Sequence, residues 1–189
     1  MAVIWMGVVI VVVVVGFALA RRHRDTAWKQ LATELGAEFI DGGLLHSSKV
    51  QAHINQWTVT LDSYSVPSGD SSTTYTRLKS TLENKDGFQF TLFREGLVAR
   101  LDKALGLKDI EIGVPDFDHD FVIQGNNEAK LRALFADVKI RQLIQEQRRI
   151  TLGIKGNELH FEAQGVIRDG PRLKSLFELF AALLERLRI

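Results

Sequence analysis

Three patterns of apolar and polar positions follow one another along the chain: an unbroken apolar run, period-two alternations, and stripes at helical spacing. The run from Ala2 to Ala20 holds no charged residue and is dominated by valine. A helix rising about 1.5 Å per residue crosses roughly 30 Å of hydrocarbon in a segment of that length, so the run predicts a membrane-spanning helix. Valine is only a moderate helix former in water. Lipid offers the backbone no hydrogen-bond partner, however, and closing every bond within the segment outweighs that preference. Trp5 stands near one end, where interfacial aromatics belong.

After the run, Trp28, Leu31 and Leu35 share one face of a short helix that Asp25 or Thr26 can cap and Gly36 can end. Val50, Ala52 and Ile54 alternate, as do Trp57, Val59 and Leu61 beyond a turn at Asn55-Gln56; these are expected to be antiparallel strands with one buried face. The small, polar stretch from Val66 to Thr74 reads as a loop. Thr76, Leu78, Ser80 and Leu82 then define a strand. Asn84-Lys85-Asp86-Gly87 is a turn signal, and Phe88, Phe90 and Leu92 resume the alternation, which predicts a hairpin.

Leu97, Leu101 and Leu105 predict a helix over Gly96 to Leu105, and Ile110 and Ile112 a strand. A break at Gly113 to Pro115 precedes an expected strand through Phe117, Phe121 and Ile123. One long amphipathic helix, capped by Asn126 or Asn127, should carry Leu131, Leu134, Phe135, Val138, Leu143 and Ile144. Ile150, Leu152 and Ile154 face Leu159, Phe161 and Ala163 across Lys155-Gly156-Asn157 in a further hairpin. In the last helix Asp169 caps, Pro171 enters the first turn, and Leu173, Leu176, Phe177, Phe180, Leu183, Leu184 and Leu187 form an apolar stripe. Strands grouped in hairpins between isolated helices predict an α+β fold: a mainly antiparallel sheet with packed helices. The expected organisation is an anchor with its basic flank over residues 1–24 and one domain over residues 25–189, a size that buries a sizeable core.

Charge sets the orientation. Arg21, Arg22, His23 and Arg24 follow the span and no charged side chain precedes it, so the positive-inside rule places the C-terminal domain in the cytoplasm of a single-pass membrane protein. The rival is a cleaved signal peptide, for Ala18-Leu19-Ala20 has the small-x-small form of a cleavage site. Against that rival, the n-region lacks Lys and Arg and the apolar run is long. Of 24 basic and 23 acidic side chains, 21 and 23 lie from Asp25 onward. A domain so near neutral gives no electrostatic case for nucleic acid. The absence of cysteine excludes disulfides, cysteine nucleophiles and thiolate metal sites.

The densest candidate chemistry is Asp109 to Asp120, where Asp116, Asp118, His119 and Asp120 are candidate metal ligands, with hard oxygens and one imidazole. An EF-hand loop beginning at Asp116 needs glycine at its sixth position and glutamate at its twelfth; Phe121 and Asn127 stand there. If the segment is extended, the simpler account is an acidic strand edge over a buried aromatic face. His23, His46, His53, His119 and His160 include no pair at zinc-ligand spacing. Serines between Ser63 and Ser72 lack a GxSxG turn, and Gly42-Gly43 belongs to no nucleotide-binding signature. Lys130, Arg132, Lys139, Arg141, Arg148 and Arg149 could press on anionic lipid, but their spacing fits a solvated helix face better.

The N-terminal span, Trp28-x-x-Leu31, Tyr75-Thr76-Arg77, and Asp109-Ile110-Glu111-Ile112-Gly113 running into Phe117-Asp118-His119-Asp120-Phe121-Val122 together resemble an uncharacterised family of bacterial membrane-anchored proteins. The resemblance implies a bacterial inner-membrane setting and no established activity, cofactor or catalytic residue. The functional expectation is therefore a membrane-tethered interaction or scaffolding domain, held to the bilayer through residues 2–20, with a protein partner, no nucleic acid and no cofactor. The alternative is an enzyme or metal-dependent sensor using segment 109–120.

Overall fold

The computed structural model describes residues 22–43, 46–69, 71–94 and 108–188. In chain order its strands are β1 (Glu38–Ile40), β2 (Lys49–Ile54), β3 (Trp57–Ser68), β4 (Ser71–Thr81), β5 (Phe90–Arg94), β6 (Lys108–Asp109), β7 (Phe121–Gly125), β8 (Ile150–Lys155) and β9 (Glu158–Gln164). Its helices are α1 over residues 22–35, α2 (Pro115–Asp120), α3 (Glu128–Phe135), α4 (Val138–Gln145) and α5 (Gly170–Leu187). The strands form one sheet in the order β1-β2-β3-β4-β9-β8-β5-β7-β6, and all of these pairings are antiparallel.

Alternation decides which face of this sheet is covered. Val50 and Ala52, Val59 and Leu61, Leu78, Leu159 and Phe161, Leu152 and Ile154, Phe90 and Leu92, and Ile123 are buried on one side. They join the apolar residues of all five helices in one continuous core. The last helix forms as its sequence predicts: the Asp169 side chain accepts from the Arg172 N–H at 2.8 Å, Pro171 occupies the first turn, and Leu173, Leu176, Phe177, Phe180, Leu183 and Leu184 are buried. Gly36, at φ +62°, ends α1 in the left-handed conformation. The α+β class and the antiparallel sheet with packed helices are thus established for the domain.

Several local expectations need correction. Asp25 and Thr26 do not cap α1; the helix already runs through residues 22–24, and the Thr26 hydroxyl donates back to the Arg22 carbonyl at 2.9 Å. Val66 to Thr74 is no loop. The pairing of β3 with β4 continues to Ser68 and Ser71, reversing at Gly69 with φ +57°, because hydroxyl side chains suit a wet strand as well as a turn. The turn at Asn84 to Gly87 joins strands that do not pair, since the β8–β9 hairpin lies between β4 and β5. Asn84 ties the two turns together, its Nδ2 donating to the carbonyls of Phe88 at 2.9 Å and Gly156 at 2.6 Å. The strand expected through Phe117 is helix α2, and β7 starts only at Phe121. Those two rings are four residues apart, a spacing that satisfies helix and strand periods alike, and they pack at 4.8 Å. The single long helix is two, α3 and α4, because Asp137 accepts from the N–H groups of Lys139 and Ile140 and starts a new one.

The proposed span and the helix expected over Gly96 to Leu105 lie outside the described residues. Among the described residues, no helix is long and apolar enough to cross a membrane.

Candidate functional site

Within the acidic segment one carboxylate, Asp118, holds the chain's own backbone. The Asp118 carboxylate accepts from Ile112 N–H on one oxygen and from Gly113 and Val114 N–H on the other, each at 2.9 Å. It thereby closes the turn that leads into α2, where Pro115 takes the first helical position. Asp120 meets Arg94 at 3.4 Å, while Asp116 and His119 are exposed. Among the described residues, no group of three or more His, Asp or Glu side chains converges in a metal-holding arrangement. His53 lies beside Thr58, Nδ1 to hydroxyl 3.2 Å, and Ser63 is buried as a neighbour of Arg24 at 3.3 Å.

A denser constellation lies on the side of the sheet away from the core, where none of the five described helices contributes its buried residues. Strand register sets its rows. Asp62, Arg77, Glu162 and Thr151 stand side by side on β3, β4, β9 and β8, and Thr60, Lys79, His160 and Gly153 form the next row. Toward β5 the first row is closed, for Phe93 is buried there; the open part belongs to β2, β3, β4 and β9. Arg77 grips Asp62 bidentately, Nε to Oδ1 at 3.0 Å and Nη2 to Oδ2 at 2.7 Å, the strongest geometry available to such a pair. Its guanidinium also lies 5.0 Å over the Tyr64 ring, and Tyr64 stacks on Tyr75 at 5.6 Å and 23°.

The electrostatics follow from this crowding. The hydrogen bond to Asp62, more than any other influence, holds Arg77 protonated more firmly than a free guanidinium. Partial burial, then the hydrogen bond and negative charge of Glu162, push the Tyr64 hydroxyl well above the usual phenol range, so it remains a donor. Burial lowers the His160 imidazole below 6.5 against the opposing pull of Glu162 and Glu158. The result is a fixed array of carboxylates, a locked guanidinium, a phenol and a neutral imidazole on a broad face. A half-open cavity of about 500 Å³ lies elsewhere, among Trp57, Leu82, Asn157, Leu184 and Leu187 near the end of α5. The array is suited to a polar ligand that lies across the sheet surface.

The sequence marks Tyr75 and Arg77 as part of a short motif but does not reveal this array. Alternation does mark Tyr75, Arg77 and Lys79 as a common polar face. Their meeting with Asp62, Tyr64 and Glu162 depends on register between distant strands. No family model, curated protein or solved structure matches this chain.

Proposed function

We propose that the chain is a membrane-tethered interaction domain of the bacterial inner membrane: residues 2–20 cross the bilayer, the domain lies on the cytoplasmic side, and its open sheet face receives a protein partner. The observation that carries this reading is the placement of the core. All five described helices bury their apolar residues on one side of the sheet, so the charged array around Arg77 is left on the other. Preformed ion pairs of this kind contribute specificity and orientation more than raw affinity, as expected of a docking face. The test is a partner captured by the full-length protein in mild detergent, then challenged with charge reversals on each side. Lys79→Glu on the open face should abolish its retention, and Lys139→Glu on α4 should leave it unchanged. Equal retention by both variants would refute the assignment of the face.

A further inference from the structure

We infer that the end of the domain carrying the tip of the β3–β4 hairpin and Arg148, Arg149 and Arg168 rests on the anionic headgroups of the bilayer; the inference depends on the proposed span.

Contacts orient α1 in the fold. Arg24, near its start, reaches the Ser63 hydroxyl at 3.3 Å, and Trp28 donates to the Ile167 carbonyl at 3.0 Å. Ile167 N–H in turn donates to the Thr76 hydroxyl at 2.9 Å, and Thr76 is the strand partner of Ser63. The chain ends α1 at Gly36 and enters β1, whose Glu38 is level with Gln51 and through it with Thr60. Helix α1 therefore starts at the Ser63 end of β3, and the segment before residue 22 arrives at that end.

Beyond this level the sheet narrows to a ribbon. Strand β2 leaves β3 at Leu61 and β9 leaves β4 at Thr76, with a last bridge from Gly165 to Tyr75 and the Thr74 carbonyl, yet β3 and β4 stay paired to Ser68 and Ser71. Five more residues of strand carry the ribbon about 16 Å past Ser63. The ribbon thus extends past the end of the domain at which the proposed span would enter, toward the headgroup layer of the bilayer. Its composition suits that layer. Between Ser63 and Thr76 the sole charged residue is Asp70, and the rest are chiefly Ser and Thr with Val66, Pro67, Tyr64 and Tyr75. Tyrosines and hydroxyls match an interface that is apolar on one side and wet on the other. Two strands without neighbours are marginal in water, so a supporting surface is physically expected.

A second, independent observation is the arginines. Arg148 and Arg149 precede Ile150, the partner of Ala163, which itself pairs with Thr76; Arg168 follows Ile167. These strands bring three exposed guanidinium groups to the end where α1 begins. The acidic residues of α2 lie at the same end, but beside β7, four strands from β4.

The chain has no cysteine, so single Val66→Cys, Thr73→Cys, Lys139→Cys and Val12→Cys variants of the full-length protein can each carry one nitrobenzoxadiazole label. They are reconstituted in vesicles of phosphatidylethanolamine and phosphatidylglycerol, with nitroxide placed on the headgroups or along the acyl chains. Expected is quenching of the Val66→Cys and Thr73→Cys labels by headgroup nitroxide and none at Lys139→Cys. Changing Arg148, Arg149 and Arg168 together to Gln should reduce the headgroup quenching. Acyl-chain nitroxide should quench the Val12→Cys label. If both hairpin labels stay bright while the Val12→Cys label is quenched, the inference is overturned and the anchor stands. If the Val12→Cys label also stays bright, the anchor reading itself has failed.

Discussion

The indole N–H of Trp28 donates to the main-chain carbonyl of Ile167 at 3.0 Å, with both residues buried. This bond fastens α1 to the segment between β9 and α5, residues that are far apart in sequence. It also makes Trp28 a joint between whatever precedes α1 and the folded domain, because Leu31 and Ala32 continue into the same core.

Trp28→Phe should therefore destabilise the domain by about 1–3 kcal/mol, since the ring is largely replaced but a buried carbonyl loses its donor. Trp28→Ala should cost about 3–5 kcal/mol, the usual range for emptying an aromatic site. Urea unfolding of both variants checks this. Equal losses would mean that the hydrogen bond alone holds the helix, and no loss for Trp28→Phe would mean that packing alone does.

Asp118→Ala should lower stability by about 1–3 kcal/mol, because one carboxylate satisfies the N–H groups of Ile112, Gly113 and Val114. Asp118→Asn, which keeps one acceptor oxygen, should fall between. The metal-dependent alternative makes an opposite forecast for the wild type: melting should rise with calcium, magnesium, manganese or zinc in excess and fall with chelator. A loss on Asp118→Ala that is the same in chelator and in metal assigns this carboxylate to the turn.

How much was legible in the sequence varies with the range of the interaction. Helix α5 was readable because its cap, its proline and its apolar stripe are all local, and so was the β8–β9 hairpin. What was lost depended on contacts between distant segments. The turn at Asn84 to Gly87 has hairpin chemistry, but Asn84 answers to Gly156 and the strands on either side pair elsewhere. Phe117 and Phe121 are spaced for either period, and the choice of helix was made by Asp118 reaching back to three N–H groups. The Arg77–Asp62 pair was invisible for the same reason, since it exists only once β3 and β4 are in register.

Acid should weaken the fold partly through His160. Its folded-state affinity for a proton is lowered from the ordinary 6.5, burial being the largest cause. Above that pH both folded and unfolded imidazole are neutral, and the group contributes no pH dependence. As pH falls below it, the unfolded chain takes up the proton first, so stability declines until the folded group also titrates. Lys79 and Lys155 face the ring with Glu158 and Glu162, so the same measurement on Glu162→Gln tests the neighbours. His160→Gln should flatten the stability profile on the acid side of 6.5 and leave it unchanged at neutral pH. An unaltered profile would place the acid sensitivity in the carboxylates.

The orientation of the proposed span rests on Arg21, Arg22 and Arg24, and the structure separates the roles of Arg22 and Arg24. Arg24 is bound to the domain: it meets Asp25 at 2.9 Å, donates to Ser63 at 3.3 Å and lies 5.4 Å over the Trp28 ring. Replacing it perturbs folding as well as charge. Arg22 is exposed and tests topology more cleanly, together with Arg21. A reporter active only in the cytosol, fused after Ile189, should be active on the wild-type chain. Arg21→Gln with Arg22→Gln should shift part of the population to the opposite orientation while the domain melts as before. Adding Arg24→Gln should increase that shift and lower the melting temperature as well. A wild-type fusion that reports from the periplasm, or a mature chain beginning at Arg21, would overturn both the orientation and the uncleaved anchor. The partner proposed for the open sheet face would then have to be sought outside the cytoplasm.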